Sequence, residues 1–515
     1  MAIYYKRDTN PTNANWNQAN NWSTVSSASA TNAGTFPVAG DTAILDAGSV
    51  TVTVNVASAC TVLTCTGFNT NLVMSSTLTV SGACTLPSGA SGALTGSSAL
   101  ILSGTQTLTT NGQTIPALTS TTASSVKTLV GNLTVTNFTV TNNTTFNGNK
   151  IITTGTVVFT GNCAGTTTIE FQTGTTLVGG AGICTTPFIF NGNVTWSGTV
   201  AVGAMTWTYT SGTITATSGT LSITAPNVNL TGWGTNVVLG TLNTTSTNSV
   251  TTVTPSLDLY VGTITASSNT YLTISHATSK VYISGGLPLT GSFQLNGTCE
   301  NVMNGTGTIN NNTIVFFAPL VINTSGTITL GSLAIKKSFK YVAGSITLTG
   351  SQVLNTTGNI SLDMAGMPAR IGIAQQTSGT VTLLSNCVCG TISPNTNITL
   401  TLAGAFDVDC TTLRIGVGST IYVTAGQTMQ VNTNLQITGT AIATATFGHP
   451  SSTVYLNYLG TMADNKVAFA TISNVDATPT TIPIYTWYGT VTSCTNVYEV
   501  TGADIGGAGL TLTII

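Results

Sequence analysis

Short stretches in which apolar and polar residues alternate recur along nearly the whole chain. Thr51 to Val56 reads TVTVNV, Leu133 to Val140 reads LTVTNFTV, and Gly212 to Ser218 reads GTITATS. Alternation over five to eight residues predicts a strand with one buried face. Turn dipeptides break these runs at Asn111-Gly112, Asn147-Gly148, Asn191-Gly192, Asn296-Gly297 and Asn304-Gly305. Both residues tolerate left-handed backbone that other side chains resist. The pattern predicts an all-β chain of short strands and tight turns.

Two β architectures fit such a pattern: a string of sandwich domains, or one solenoid of stacked coils. Sandwiches call for linkers, and no linker, charge run or break in composition lies between about residue 50 and residue 440. A solenoid calls for degenerate self-similarity at the length of a coil. The cysteines carry that signal: Cys60 to Cys84, Cys163 to Cys184, Cys387 to Cys410, Cys65 to Cys84 and Cys389 to Cys410 are separated by 24, 21, 23, 19 and 21 residues. Three short strands in a coil of about 22 residues would give roughly 18 coils and a stack on the order of 85 Å long. The expected fold is a single-stranded parallel β-helix (β-solenoid) over residues 49–445. An N-terminal aromatic cap over 1–48 would hold Trp16 and Trp22. A small C-terminal β module or interaction segment over 446–515 would hold Tyr455, Tyr458, Tyr485, Trp487, Tyr488 and Tyr498. Asp41 and Asp46 are expected to cap turns of the entry coil.

Composition sharpens this picture. Only 11 basic and 13 acidic residues occur among 515, or 5% charged, against about 25% in an average domain. Charges repeated at one coil position would repel their own neighbours, whereas Thr and Asn form hydrogen-bonded ladders there. Hydrophobic residues make up 41%, which supports a buried core and argues against disorder. The longest apolar run, Ile314 to Ile322, has nine residues and contains Pro319, whereas a spanning helix needs about 20. No membrane span is expected. The N-terminal sequence lacks the apolar stretch of a secretory signal, so synthesis and folding in a cytoplasm are expected. Nucleic acid is not an expected partner, because so few cations form no continuous stripe. Lys336, Lys337 and Lys340 form a local basic cluster that reads as a solvated face or a contact between subunits.

Candidate chemistry is sparse. His276 and His449 are the two histidines, and neither is near Cys or Asp in sequence; both read as structural. Cys387 and Cys389 would share one strand face, as buried apolar thiols kept reduced. No metal site and no cofactor are expected. Sugar hydrolysis needs two carboxyl groups roughly 5–10 Å apart. Asp407 and Asp409, two apart in a strand, are the sharpest catalytic candidates, with Arg414 nearby and Asp363 able to converge from another coil. Their plainer reading is a solvated or calcium-bridged pair on one coil. For glycan or receptor contact the candidates are Tyr485, Trp487 and Tyr488. In a strand the first two would share one face and Tyr488 would take the other, unless all three pack within a small cap.

The stretch from Pro37 to Asn55, PVAGDTAILDAGSVTVTVN, with Trp16 and Trp22 before it, resembles the entry coil of β-helical surface proteins of tailed phages and bacterial adhesins. The stretch from Asn474 to Val497, NVDATPTTIPIYTWYGTVTSCTNV, is similar to C-terminal segments of phage tail and appendage proteins. The resemblance implies a virion appendage or decoration protein of tail-fibre, tailspike or head-fibre type, often a homotrimer in tail spikes. Its implied partners are other virion proteins and a host-surface glycan. Its implied place is the virion surface, with a cell surface as the alternative. The expected function is a non-enzymatic virion structural protein for adhesion or particle stabilisation. A tailspike polysaccharide depolymerase and a bacterial surface adhesin are the competing readings.

Overall fold

A computed structural model describes residues 1–8, 14–47, 49–88, 91–203, 205–224, 227–244, 250–266, 270–287, 293–309, 314–350, 352–478, 480 and 482–500. Gly48, at the end of the expected N-terminal cap, and residues 501–515 of the expected C-terminal segment lie outside the described residues. Two 3-10 turns of three residues, Ala19–Asn21 and Met462–Asp464, are the helical elements among the described residues; the regular structure is otherwise β. The chain divides into two compact units, Met1–Gly262 and Thr263–Ile515. Each is a parallel β-solenoid.

The first unit opens on Ile3–Lys6, which pairs antiparallel with Trp22–Ser23 and parallel with Thr42–Ile44. Beyond this point the prevailing pattern is parallel bonding of a strand to the strands one coil before it and one coil after it. Ala99–Leu102 lies between Leu78–Val80 and Thr114–Ser120, and Ile151–Thr153 between Leu133–Val140 and Ile169–Gln172. Val52–Val54, Leu72–Met74 and Leu94–Gly96 form a separate three-stranded parallel ladder. Trp16 and Trp22 are fully buried against each other, ring centroids 4.9 Å apart and edge to face. Each indole N–H has a carbonyl acceptor: Trp22 donates to Trp16 at 2.7 Å and Trp16 to Pro37 at 3.2 Å. Asp41 accepts the Ala2 and Val38 N–H groups, and Asp46 accepts the hydroxyls of Ser27 and Ser49.

Inside this unit runs an aromatic column. Phe138, Phe159, Phe188, Trp207 and Trp233 follow one another with centroid separations of 6.1, 5.7, 5.1 and 5.7 Å. The Phe188–Trp207 contact follows directly from register, since these residues are paired on neighbouring coils. Such contacts add about 0.5–1.5 kcal/mol per pair to the burial of the rings themselves. Large aromatics are therefore not confined to the two ends, where the sequence directed attention.

The second unit is built in the same way, and its C-terminal coils show three faces. The first carries Cys387–Cys389, Val408–Cys410 and Met429–Val431 in register. The second carries Leu413, then Leu435–Thr438, Asn465–Ala468, Ile484–Trp487 and Val497–Val500. The third carries Thr399–Ala403, Thr420–Val423, Ala445–Gly448, Ala470–Ser473 and Thr490–Thr492. Parallel pairing thus runs through positions 445 and 446. Farther on, the strands shorten and left-handed non-glycine residues make the corners: Phe469, Asn474, Tyr488, Ser493 and Asn496.

A recurrent burial pattern explains how runs that look like one strand turn a corner. In Leu133–Val140 the inward residues are Leu133, Val135, Phe138 and Val140, with Thr136 and Asn137 both exposed between them. Cys387–Pro394 and Val408–Ile415 repeat the slip. Two outward residues in succession shift the phase by one, so the chain leaves one face and starts the next.

Corners are tied to the following coil by side chains. Asn137, Asn143 and Asn147 each accept a backbone N–H 19 residues on, from Thr156, Asn162 and Thr166. In the second unit Asn359 and Asn386 accept from Thr380 and Asp407, each 21 residues on. These bonds satisfy N–H groups that the sheet ladder leaves free at a bend. Charges obey the same geometry. Lys150–Glu170 at 2.6 Å in the first unit, and Lys280–Glu300 at 3.3 Å and Lys340–Asp363 at 3.2 Å in the second, each join neighbouring coils. Opposite signs stack where like signs would repel. Of the five cysteine spacings, two are stacked partners: Cys163 with Cys184 and Cys389 with Cys410. Cys84 instead pairs with Leu63 and Leu108, and Cys387 with Val408.

Candidate functional site

Asp407 and Asp409 flank the inward residue Val408, so both point outward on the first face of the second unit. Neither carboxylate is idle. Asp407 continues a corner ladder: its own N–H donates to Asn386, and its Oδ1 accepts the Thr428 N–H at 2.7 Å. Asp409 accepts hydrogen bonds from Nη1 and Nη2 of Arg370, at 2.9 and 3.0 Å, and from the Asn432 amide as well. Gln430 donates to Asn432 and accepts from Asn457, which extends the network along the face. The Arg370 hydrogen bonds hold the Asp409 carboxyl below the usual carboxylate range. General acid catalysis needs the opposite shift. Asp363 sits in a different ladder, Ile360–Asp363 with Gly379–Leu383 and Thr399–Ala403, where it pairs with Lys340. The register does not stack it on Asp407.

Other nucleophiles and bases are similarly occupied. His276 Nδ1 lies 2.8 Å from the Ser279 hydroxyl, and His449 Nδ1 accepts the Ser451 and Ser452 N–H groups, so each ring closes its own turn. Burial pushes the Cys163 and Cys410 thiols up to about 12, which keeps them protonated. Among the described residues no three His, Cys, Asp or Glu side chains group to hold a metal ion. No helix among them is long and apolar enough to cross a membrane. In the basic cluster, Lys336 lies 4.5 Å from the centre of the Phe317 ring and Lys340 pairs with Asp363.

The Asp409–Arg370 pair sets a pH expectation. A depressed carboxyl pKa contributes stability that is complete above the unfolded value of about 3.9 and is lost as pH falls through the folded value. Partial exposure of both partners limits the effect to about 1 kcal/mol. Urea unfolding at pH 7 and at pH 2.5 should show Asp409→Asn costing stability only at the higher pH. An equal cost at both would remove the ion pair from the account.

The second face carries a different outward column. Register places Arg414 beside Gln436, Gln436 beside Lys466, and Tyr485 beside Tyr498, and the strand of Lys466 pairs with the strand of Tyr485 at Ala468 and Trp487. Arg414 and Lys466 are exposed and make no ion pair among the described residues. Beside Arg414 lies an open cleft of about 510 Å³ lined by Ser393, Pro394, Asn395, Thr396 and Gly416. Tyr485 and Trp487 both look outward and are half-buried, and Tyr485 lies 5.7 Å from Tyr498 between ring centroids.

Tyr488 does not sit on the opposite face of that strand, as simple alternation would put it. The strand ends at Trp487, and Tyr488 forms the next corner with φ +53°. Phe469 occupies the same corner one coil earlier with φ +46°, and the two rings stack at 5.2 Å with only 14° between their planes. A bulky residue in left-handed backbone costs about 1–3 kcal/mol and marks a place where that conformation is held by its surroundings. Here it sets an aromatic stack at the outer edge of the coil, with Tyr488 half exposed (51%). Arg414, Gln436, Lys466, Phe469 and Tyr498 were not legible as one site from sequence. Coil lengths vary here: Asn457 bonds to Gln430 over 27 residues, Asp407 to Asn386 over 21. Column partners therefore have no constant spacing. Comparison with protein-family models, curated proteins and solved structures returns no match to the chain.

Proposed function

We propose that the chain is a non-enzymatic structural protein displayed on a phage-like particle, as a fibre, spike or head decoration, and that it contacts host surface or neighbouring subunits. The observation that carries this reading is the way each coil is tied to the next. Core side chains stack inward, and corner amides and cross-coil ion pairs lock the outside. Such a stack is stiff along its axis and presents long outward columns for repeated contact. The resemblance of both end segments to phage appendage proteins supports the particle assignment and suggests a homotrimer.

The depolymerase alternative would place its chemistry at Asp407 and Asp409. Both carboxylates instead hold their own coils together, and the Asp409 pKa is shifted away from what an acid catalyst needs. Incubating the purified protein with host capsule should leave the glycan length unchanged, for wild type and Asp409→Asn alike. Shortened glycan that disappears in Asp409→Asn would establish the enzyme. Gold-labelled antibody should mark intact particles in electron micrographs. Recovery of the chain from washed uninfected cells instead would favour the cell-surface adhesin.

A further inference from the structure

We propose that the outward column Arg414–Gln436–Lys466–Tyr485–Tyr498, with the Phe469–Tyr488 stack at its edge, binds an acidic polysaccharide lying along the coil axis. The inference rests on the adhesive reading above and names the ligand of that surface. Charge supplies the first argument. Four cations of this chain, Lys150, Lys280, Lys340 and Arg370, meet a carboxylate on another coil, and Lys336 lies over a ring. Arg414 and Lys466 have neither, yet they stand in one column with only Gln436 between them. At about 4.8 Å per coil their backbones lie roughly 10 Å apart, so they can take two separate carboxylates of one extended polymer.

Shape supplies the second argument. Pyranose rings present flat C–H faces that lie against aromatic rings, and amides beside them bond sugar hydroxyls. The column continues from its cations into Tyr485 and Tyr498, flanked by Trp487 and by the Phe469–Tyr488 stack. Two aromatic residues in left-handed backbone on successive coils keep those rings at the edge of the face. At the other end the cleft beside Arg414 offers Ser393, Asn395 and Thr396 to polar groups. A single-stranded nucleic acid also uses cations and rings, but it carries a charge on every nucleotide. Two cations, with Asp464 and Glu499 close by in sequence and a net charge of −2, suit a more sparsely charged polymer.

The test measures binding of the full chain to polygalacturonate, polysialic acid, neutral dextran and an oligo-dT by calorimetry. At least one acidic glycan should bind more tightly than dextran or oligo-dT. The double variant Arg414→Gln/Lys466→Gln should weaken that binding about tenfold or more. Tyr485→Ala should weaken it several-fold, with the melting temperature of both variants unchanged. A control of equal charge change, Lys336→Gln/Lys337→Gln, should bind like wild type. The proposal is overturned if neither acidic glycan binds, if dextran or oligo-dT binds more tightly, or if the control loses as much as the double variant. Particle labelling reads out separately. A chain absent from particles that still binds acidic glycan removes the virion reading alone, and a labelled particle without glycan binding removes the ligand alone.

Discussion

Trp207→Ala is expected to destabilise the unit Met1–Gly262 by about 3–5 kcal/mol. Trp207 is fully buried, with Phe188, Phe190, Trp196 and Trp233 at centroid distances of 5.1, 5.3, 5.4 and 5.7 Å. Truncation leaves a void that the neighbours cannot fill, because the ladder hydrogen bonds of the coils on either side fix their positions. In a stack where each coil touches only its neighbours, the loss should be local. Calorimetry should show part of the unfolding moving to lower temperature while another part stays. Trp487→Ala, on the half-buried outer face, should cost under about 1 kcal/mol. Similar costs for both substitutions would mean that the inner column is not the packed core described.

Gly165→Val is the second large effect, expected at about 3 kcal/mol or more. Gly165 has φ +115°, and a Cβ there would lie 1.9 Å from the carbonyl oxygen of Phe146, one coil earlier. Backbone cannot retract from such a contact without breaking pairing. The Phe146 carbonyl accepts the Thr167 N–H at 3.1 Å, so the corner and its bond would go together. Hydrogen exchange should accelerate at Thr167 and along Cys163–Ala164. Gly112 provides the comparison: φ is +73° and nothing lies within 4 Å of an added Cβ. Gly112→Ala should therefore cost only the backbone preference, about 1 kcal/mol. Equal costs at the two positions would show that coil-to-coil approach is not limiting at Gly165.

Much of the fold was legible because a strand's side-chain period is short and local. Val52 and Val54 point inward in TVTVNV, and Asn111-Gly112 is a left-handed turn, as the pattern predicts. What looked like a single eight-residue strand in LTVTNFTV is two faces joined at Thr136–Asn137. A phase slip of one residue is hard to distinguish from ordinary variation without its neighbours above and below. The cysteine spacings pointed to stacking, yet only Cys163–Cys184 and Cys389–Cys410 are partners: Cys60 pairs with Val80, Cys84 with Leu63 and Cys387 with Val408, so spacings of 24, 19 and 23 miss the local coil step of 20 or 21 residues.

Sequence by itself determined the all-β character, the buried alternation and the scarcity of charge, since each follows from preferences acting within a few residues or within one coil. It also brought Asp407 and Asp409 to one side of a strand. Only the tertiary structure decided what those carboxylates touch, for Arg370 and Thr428 reach them from other coils. It alone aligned Arg414, Lys466 and Tyr485 and set Tyr488 on Phe469. Contacts between coils depend on the summed length of every turn between them, and that sum is not encoded in any one stretch of residues.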